Sequence, residues 1–139
     1  MQTFLPYPDF RESLECLDYK RLGKQRVEAF QLLKSIYISD YAWRTHPCSL
    51  MWRDYPSALI EYMNISIDVW VERGYKNTMH KQRVDNVVYP KWLGDKKFHD
   101  SHKSNLLEKD YEFYSRYEWD VERELPYYWN GYGKNEPII

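Results

Sequence analysis

The chain has 139 residues, 43% of them hydrophobic and 29% charged, with a formal net charge of −1. These totals describe one globular domain, too short for two comfortable cores and too evenly charged for a uniformly basic nucleic-acid binder. Cys16 and Cys48 lack a CxxC spacing, which excludes a disulfide framework or a closed zinc site. No apolar run approaches the roughly 20 residues of a membrane helix. The opening MQTFLPYPDF has neither the basic start nor the apolar run of a secretory signal, so an intracellular protein is expected.

Helical periodicity dominates in chain order. Asp9 followed by Glu12 in PDFRESLECL is a capping-box start, with Phe10, Leu14 and Leu17 on one face. A longer helix is predicted from about Asp18 to Ile36, with Leu22, Phe30, Leu33 and Tyr37 facing inward. HPCSLMW forms a separate short turn of helix. Another helix begins at Asp54-Tyr55-Pro56, turns Leu59, Met63 and Trp70 inward, and ends at Gly74 with Arg73 in its last turn.

Residues 76–98 hold Pro90 and Gly94 and are expected to cross the surface irregularly. Ser101 is expected to cap a last helix, SHKSNLLEKDYEFYSRY, that buries Leu106 and Tyr114. The tail LPYYWNGYGKNEPII carries too much Pro, Gly and Asn for a helix. The expected fold is all-α: a single compact helical domain over residues 1–139 with an irregular, aromatic-rich C-terminal tail.

Two compositional features bear on function. Fourteen Tyr, five Phe and six Trp make 18% of the chain, more than a core of this size needs. Some rings are free to meet flat partners such as bases, although a Tyr-rich core with its hydroxyls turned to water also fits. Charge is also unevenly spread. Arg73 to Lys109 holds nine Lys/Arg against four Asp/Glu, whereas Asp110 to the end holds three against seven. A near-neutral total therefore conceals a basic face.

Within LDYKRLGKQRVEAF, helical projection sets Glu28 on a polar face between Lys24 and Arg21. A solvated ion pair there is worth a few tenths of a kcal/mol at most. Two neighbours make the helix unusual. Gly23 costs about 1 kcal/mol relative to Ala in a helix interior, and glycine admits a close approach. Arg26 lies on the apolar side, which implies a guanidinium with a structural partner. His99 and His102 in FHDSH, with His46 elsewhere, form no recognisable metal motif, and hydrogen-bonded roles suit them better. Cys48 two residues from His46 is poorly placed for proton transfer. Lys103 and Lys109 are spaced to meet either phosphate or water.

Taken in order, LDYKRLGKQRVEAFQLL, HPCSLMW, the ERGY helix end and FHDSHKSNLLEKD with its Tyr/Trp-rich tail resemble the pyrimidine-dimer DNA glycosylase family. The resemblance implies a compact all-α enzyme that acts on damaged double-stranded DNA without cofactor or metal; a monomer is the default expectation. It cuts the glycosidic bond at a damaged pyrimidine pair, then nicks the abasic site by β-elimination. In that family the α-amine at the chain start attacks C1′ and forms an imine, while a helix carboxylate stabilises the cationic intermediate. These roles fall on Met1 and Glu28.

The implied DNA contacts are Arg21, Lys24, Gln31, His102 and Lys109. An α-amine titrates near 7.7–8.0, well below a lysine, so more of it is the free nucleophile at neutral pH. The chain departs from the family at Gln2, whose size retains Met1, and at Val27 and Gln31, which stand where the family has arginines. Two other readings carry distinct consequences. A non-catalytic DNA-binding module on the same fold tolerates Glu28→Gln, and a metal-dependent nuclease built on His46, His99 and His102 is sensitive to chelators.

Overall fold

The computed structural model describes residues 1–134 and 136, and the tail positions beyond 134 other than 136 lie outside that description. Among the described residues six α-helices make the fold and no strand occurs. They are α1 (Phe10–Glu15), α2 (Tyr19–Tyr37), α3 (Pro47–Trp52), α4 (Pro56–Glu72), α5 (Lys96–Lys109) and α6 (Tyr111–Tyr114), followed by a 3-10 turn at Ser115–Tyr117. Among the described residues no helix is long and apolar enough to cross a membrane. The all-α expectation holds.

Local chemistry sets the element ends. The Asp9 carboxylate accepts from the Glu12 N–H at 2.7 Å and starts α1. At the other end of α4, Gly74 takes φ +90°, with Gly74 N–H on Val71 C=O at 2.8 Å and Tyr75 N–H on Trp70 C=O at 3.3 Å. That double bond is a Schellman stop, and it needs the left-handed glycine. Helix α5 begins earlier than the sequence pattern suggests. Asp95 caps it through the Lys97 N–H, and Ser101 sits buried in its middle. The helix also breaks at Asp110, whose side chain caps α6 through the Phe113 N–H, so one predicted helix is two.

The most extensive helix–helix packing is α2 on α4, followed by α1 on α4. The buried face of α2 comprises Leu22, Gln25, Ala29, Leu32 and Leu33. Phe30 and Tyr37, expected inside, are 37% and 66% exposed. The face is rotated from the expected one because a glutamine occupies a core position.

The reason is the chain start. Residues Gln2 to Pro6 are buried and belong to no helix. A buried segment outside helix and sheet must satisfy its backbone groups with side chains. Phe4 N–H donates to Gln25 Oε1 at 2.8 Å, and the Tyr62 hydroxyl donates to Phe4 C=O at 2.9 Å. Leu5 N–H donates to His102 Nδ1 at 2.8 Å, and His99 Nδ1 meets Leu5 C=O at 2.7 Å. Thr3 adds a hydroxyl that accepts from Trp52 Nε1 at 2.9 Å. Gln25, Tyr62, His99 and His102 are the sockets for this segment.

Much of the aromatic surplus is internal. Trp52 meets Trp92 edge-on at 5.0 Å and packs with Phe10 and Tyr62. Tyr114, Trp119 and Tyr117 stack beside α6, and Trp119 Nε1 donates to the Tyr7 hydroxyl.

Candidate active site

The buried start of the chain brings Met1 to the mouth of a cleft of about 790 Å³ along α2. Met1, Gln25 and Glu28 lie on its walls with Lys20, Arg21 and Lys24, and Lys109 and Tyr127 close it from the C-terminal half. Helix α2 supplies most of the wall because its i, i+4, i+8 row Lys20, Lys24, Glu28 lies on one side.

One side chain ties the carboxylate to the segment that carries the amine. The Gln25 amide nitrogen donates to Glu28 Oε2 at 3.1 Å and to Gln2 C=O at 3.2 Å. Its oxygen accepts from Phe4 N–H and lies 2.7 Å from the Tyr62 hydroxyl, whose one hydrogen it shares with Phe4 C=O. Gln25 is 1% exposed, and both ends of its amide are engaged. A buried amide bonded at both ends rigidifies its surroundings.

Burial pushes the Glu28 carboxyl above its ordinary value. The positive α-amine, the Gln2 N–H, Lys24 and Gln25 oppose that rise, in that order. The α-amine therefore acts on this carboxylate more strongly than the adjacent lysine does. Among the described residues Glu28 makes no salt bridge, so amine and carboxylate face one cleft without being locked together.

Gly23 explains another part of the wall. A Cβ there would stand 3.0 Å from two ring carbons of Trp70. Glycine thus admits the indole, which carries Arg26 on its face at 4.5 Å and stacks on Tyr75 at 4.4 Å. Arg26 also donates to Asn77 Oδ1, and burial lowers its pKa. The structural partner expected for Arg26 is an indole and an amide rather than a carboxylate.

The remaining sequence candidates separate clearly. Met1, Glu28, Arg21, Lys24 and Lys109 come together at the cleft. Arg21 is already paired with Asp18 at 3.2 Å. Gln31 is half-buried one turn beyond Glu28 and does not line the cleft. His102 is wholly buried, and burial drives its pKa down to about 3. Its Nδ1 accepts from Leu5, so it is a neutral socket for backbone rather than a DNA contact. Both ring nitrogens of His99 are occupied as well, by Leu5 C=O and Gly94 N–H. Among the described residues no three His, Cys, Asp or Glu side chains converge as a metal site requires. The triad of His46, His99 and His102 is not assembled.

Sequence reasoning missed Gln25 and Tyr62. Gln25 had a visible signal, a polar residue on the Leu22–Ala29–Leu32 face. Tyr62 had none, since a tyrosine on an apolar helix face looks like ordinary core.

Against known families, the model for pyrimidine dimer DNA glycosylase matches residues 1–83. That span contains the buried start, the whole of α2 and the socket residues Gln25 and Tyr62. The chain belongs to the pyrimidine dimer DNA glycosylase family. Its match covers more than half the chain and includes both Met1 and Glu28, so membership makes it a DNA repair glycosylase of the pyrimidine-dimer type. No curated protein and no solved structure gives a significant match.

Proposed function

We propose that the chain, working as a single domain and as a monomer, removes damaged pyrimidines from duplex DNA and then nicks the strand through an imine formed by its own α-amine. The Met1 nitrogen attacks C1′ of the damaged nucleotide, and the glycosidic bond breaks with its electron pair leaving on the base. Nitrogen gives up one proton and O4′ takes one up as the sugar ring opens, which leaves the protonated imine. Removal of a C2′ proton then expels the 3′ phosphate by β-elimination, and water releases the enzyme. No cofactor enters this sequence.

Glu28 has two tasks in this scheme. A fixed carboxylate beside C1′ favours the cationic oxocarbenium and iminium species over the neutral substrate, which lowers the barrier rather than only tightening binding. It also receives and returns protons around the sugar, for which a carboxyl titrating above its ordinary range is suited. Arg21, Lys24 and Lys109 hold the phosphates, giving affinity that is salt-sensitive and largely independent of sequence.

The observation that carries this reading is the Gln25 amide, which joins Gln2 C=O to Glu28 and so sets the amine-bearing segment against the carboxylate. Retention of Met1 fits the same geometry. Gln2 is 7% exposed and its side-chain oxygen accepts from the Thr3 N–H, so its size serves packing at the site.

The test compares wild type with Glu28→Gln on ultraviolet-irradiated supercoiled plasmid. Wild type is expected to nick it, and Glu28→Gln to bind it without nicking. Equal nicking by both proteins removes Glu28 from the mechanism. Binding without nicking by wild type leaves the family fold as a DNA-binding module.

A further inference from the structure

A second cleft, of about 740 Å³, opens beside the first and shares Tyr19, Lys20, Arg21 and Lys109 with it. Its far side is built by residues from distant parts of the chain: Arg73 at the C-cap of α4 and Arg116 in the 3-10 turn. Both guanidinium groups are held in place without being neutralised. Arg73 donates through Nη2 to Glu15 C=O at 2.8 Å. Arg116 donates through Nε to Phe113 C=O at 2.8 Å and lies 3.9 Å from the centre of the Phe113 ring. Among the described residues neither forms a salt bridge.

Three carboxylates also line this cleft, and each is engaged elsewhere. Glu15 pairs with Arg11 at 3.1 Å, Asp18 with Arg21 and the Tyr114 hydroxyl, and Asp110 caps α6. Lys20, Lys109, Arg73 and Arg116 form no salt bridge among the described residues, and Asp110 is the one lining carboxylate without a cationic partner, so the groove keeps an excess of positive charge. A pre-oriented guanidinium fork matches phosphate oxygens and loses little entropy on binding them.

We propose that this second cleft binds phosphodiester groups on one flank of the damaged site. The strand that enters the catalytic cleft continues past Tyr19 and Lys109 to Arg73 and Arg116. The inference rests on duplex DNA being the substrate, but not on the imine chemistry. It makes the footprint one-sided, extending toward α6, and it adds two contacts that the α2 cations do not supply.

The experiment measures binding to a duplex with a tetrahydrofuran abasic analogue, which positions the protein but forms no imine. Arg73→Gln/Arg116→Gln is compared with wild type and with Lys81→Gln/Arg83→Gln, an exposed pair of cations outside both clefts. Loss of two phosphate contacts is expected to reduce the slope of log K against log salt by about two. Affinity is expected to fall about tenfold or more. The control double variant should show neither change. Cutting the duplex back on one flank is expected to abolish the difference between wild type and Arg73→Gln/Arg116→Gln, while cutting the other preserves it.

An unchanged slope overturns the inference. So does an equal loss in the control, or a loss indifferent to which flank is removed. Absence of chemistry on ultraviolet-damaged DNA would sink the proposed mechanism and leave these binding outcomes standing.

Discussion

Two non-helical segments cross this helical protein, and they are held in different ways. The first, Gln2 to Pro6, is buried, and its backbone bonds run to Gln25, Tyr62, His99 and His102. The second, residues 75–95, lies largely on the surface and is pinned at separate points, by Asn64 to Gln82 and by Ser57 to Val88. Most of the outer segment is open to solvent, whereas residues 2–6 are buried from it. A buried segment therefore obliges the core to carry polar side chains, and here those side chains also orient a candidate nucleophile.

The comparison breaks most visibly at His102. Replacement by Leu strands the Leu5 N–H in the core and is expected to cost about 3 kcal/mol of stability, read from denaturant unfolding. The salt dependence of DNA binding should stay as in wild type, because the ring touches no phosphate. The same residue gives a pH signature. Its folded pKa is lowered to about 3, so the unfolded chain takes up a proton near 6.5 that the folded one refuses. Wild-type stability should then fall as pH drops from about 6.5 towards 3, and His102→Leu should lose that component.

Gln25→Leu sharpens the link to chemistry. A stability loss of about 2 kcal/mol is expected from the unmatched groups, together with a fall in reaction rate of up to about 100-fold from misplacement of the reacting groups. Its distinguishing signature is the acid limb of the pH–rate profile. Burial already places Glu28 above the ordinary carboxylate range, and Gln25 holds it down. The proposed mechanism requires the ionised form, so on that reading wild type should lose rate as pH falls through a value above that range, and Gln25→Leu should lose it at a still higher pH. An unmoved limb would reduce Gln25 to a packing residue.

In the outer segment, Asn64→Ala removes a two-sided contact with Gln82 and is expected to cost only about 1 kcal/mol, with no effect on rate. The smallest net effect is expected at Gly23→Ala. A gain of about 1 kcal/mol in helix propensity is offset by displacement of Trp70, so the indole fluorescence should change more than the unfolding midpoint.

The sequence made some of this legible. Asp9, Gly74 and the HPCSLMW turn act through local rules, and they mark real element ends. The start of α5 was hidden because Ser101 is as plausible a cap as Asp95, and only burial of Ser101 decides between them. The face of α2 was misjudged at Phe30 and Tyr37 because periodicity counts apolar residues, while the core position belongs to Gln25. His102 looked available for phosphate for a similar reason, since no local signal reveals that a segment 97 residues away needs its Nδ1. Glu28 was visible as an acid among cations, but its proximity to the α-amine depends on the path of residues 1–6.

The central claim is that the α-amine of Met1 and Glu28 act on one sugar. Borohydride trapping on ultraviolet-irradiated and abasic-site duplexes, with EDTA present and peptide mapping of the adduct, tests it most directly. The account predicts an adduct on Met1 with both substrates. DNA binding with no adduct on either, or an adduct confined to Lys20 or Lys24, would contradict it.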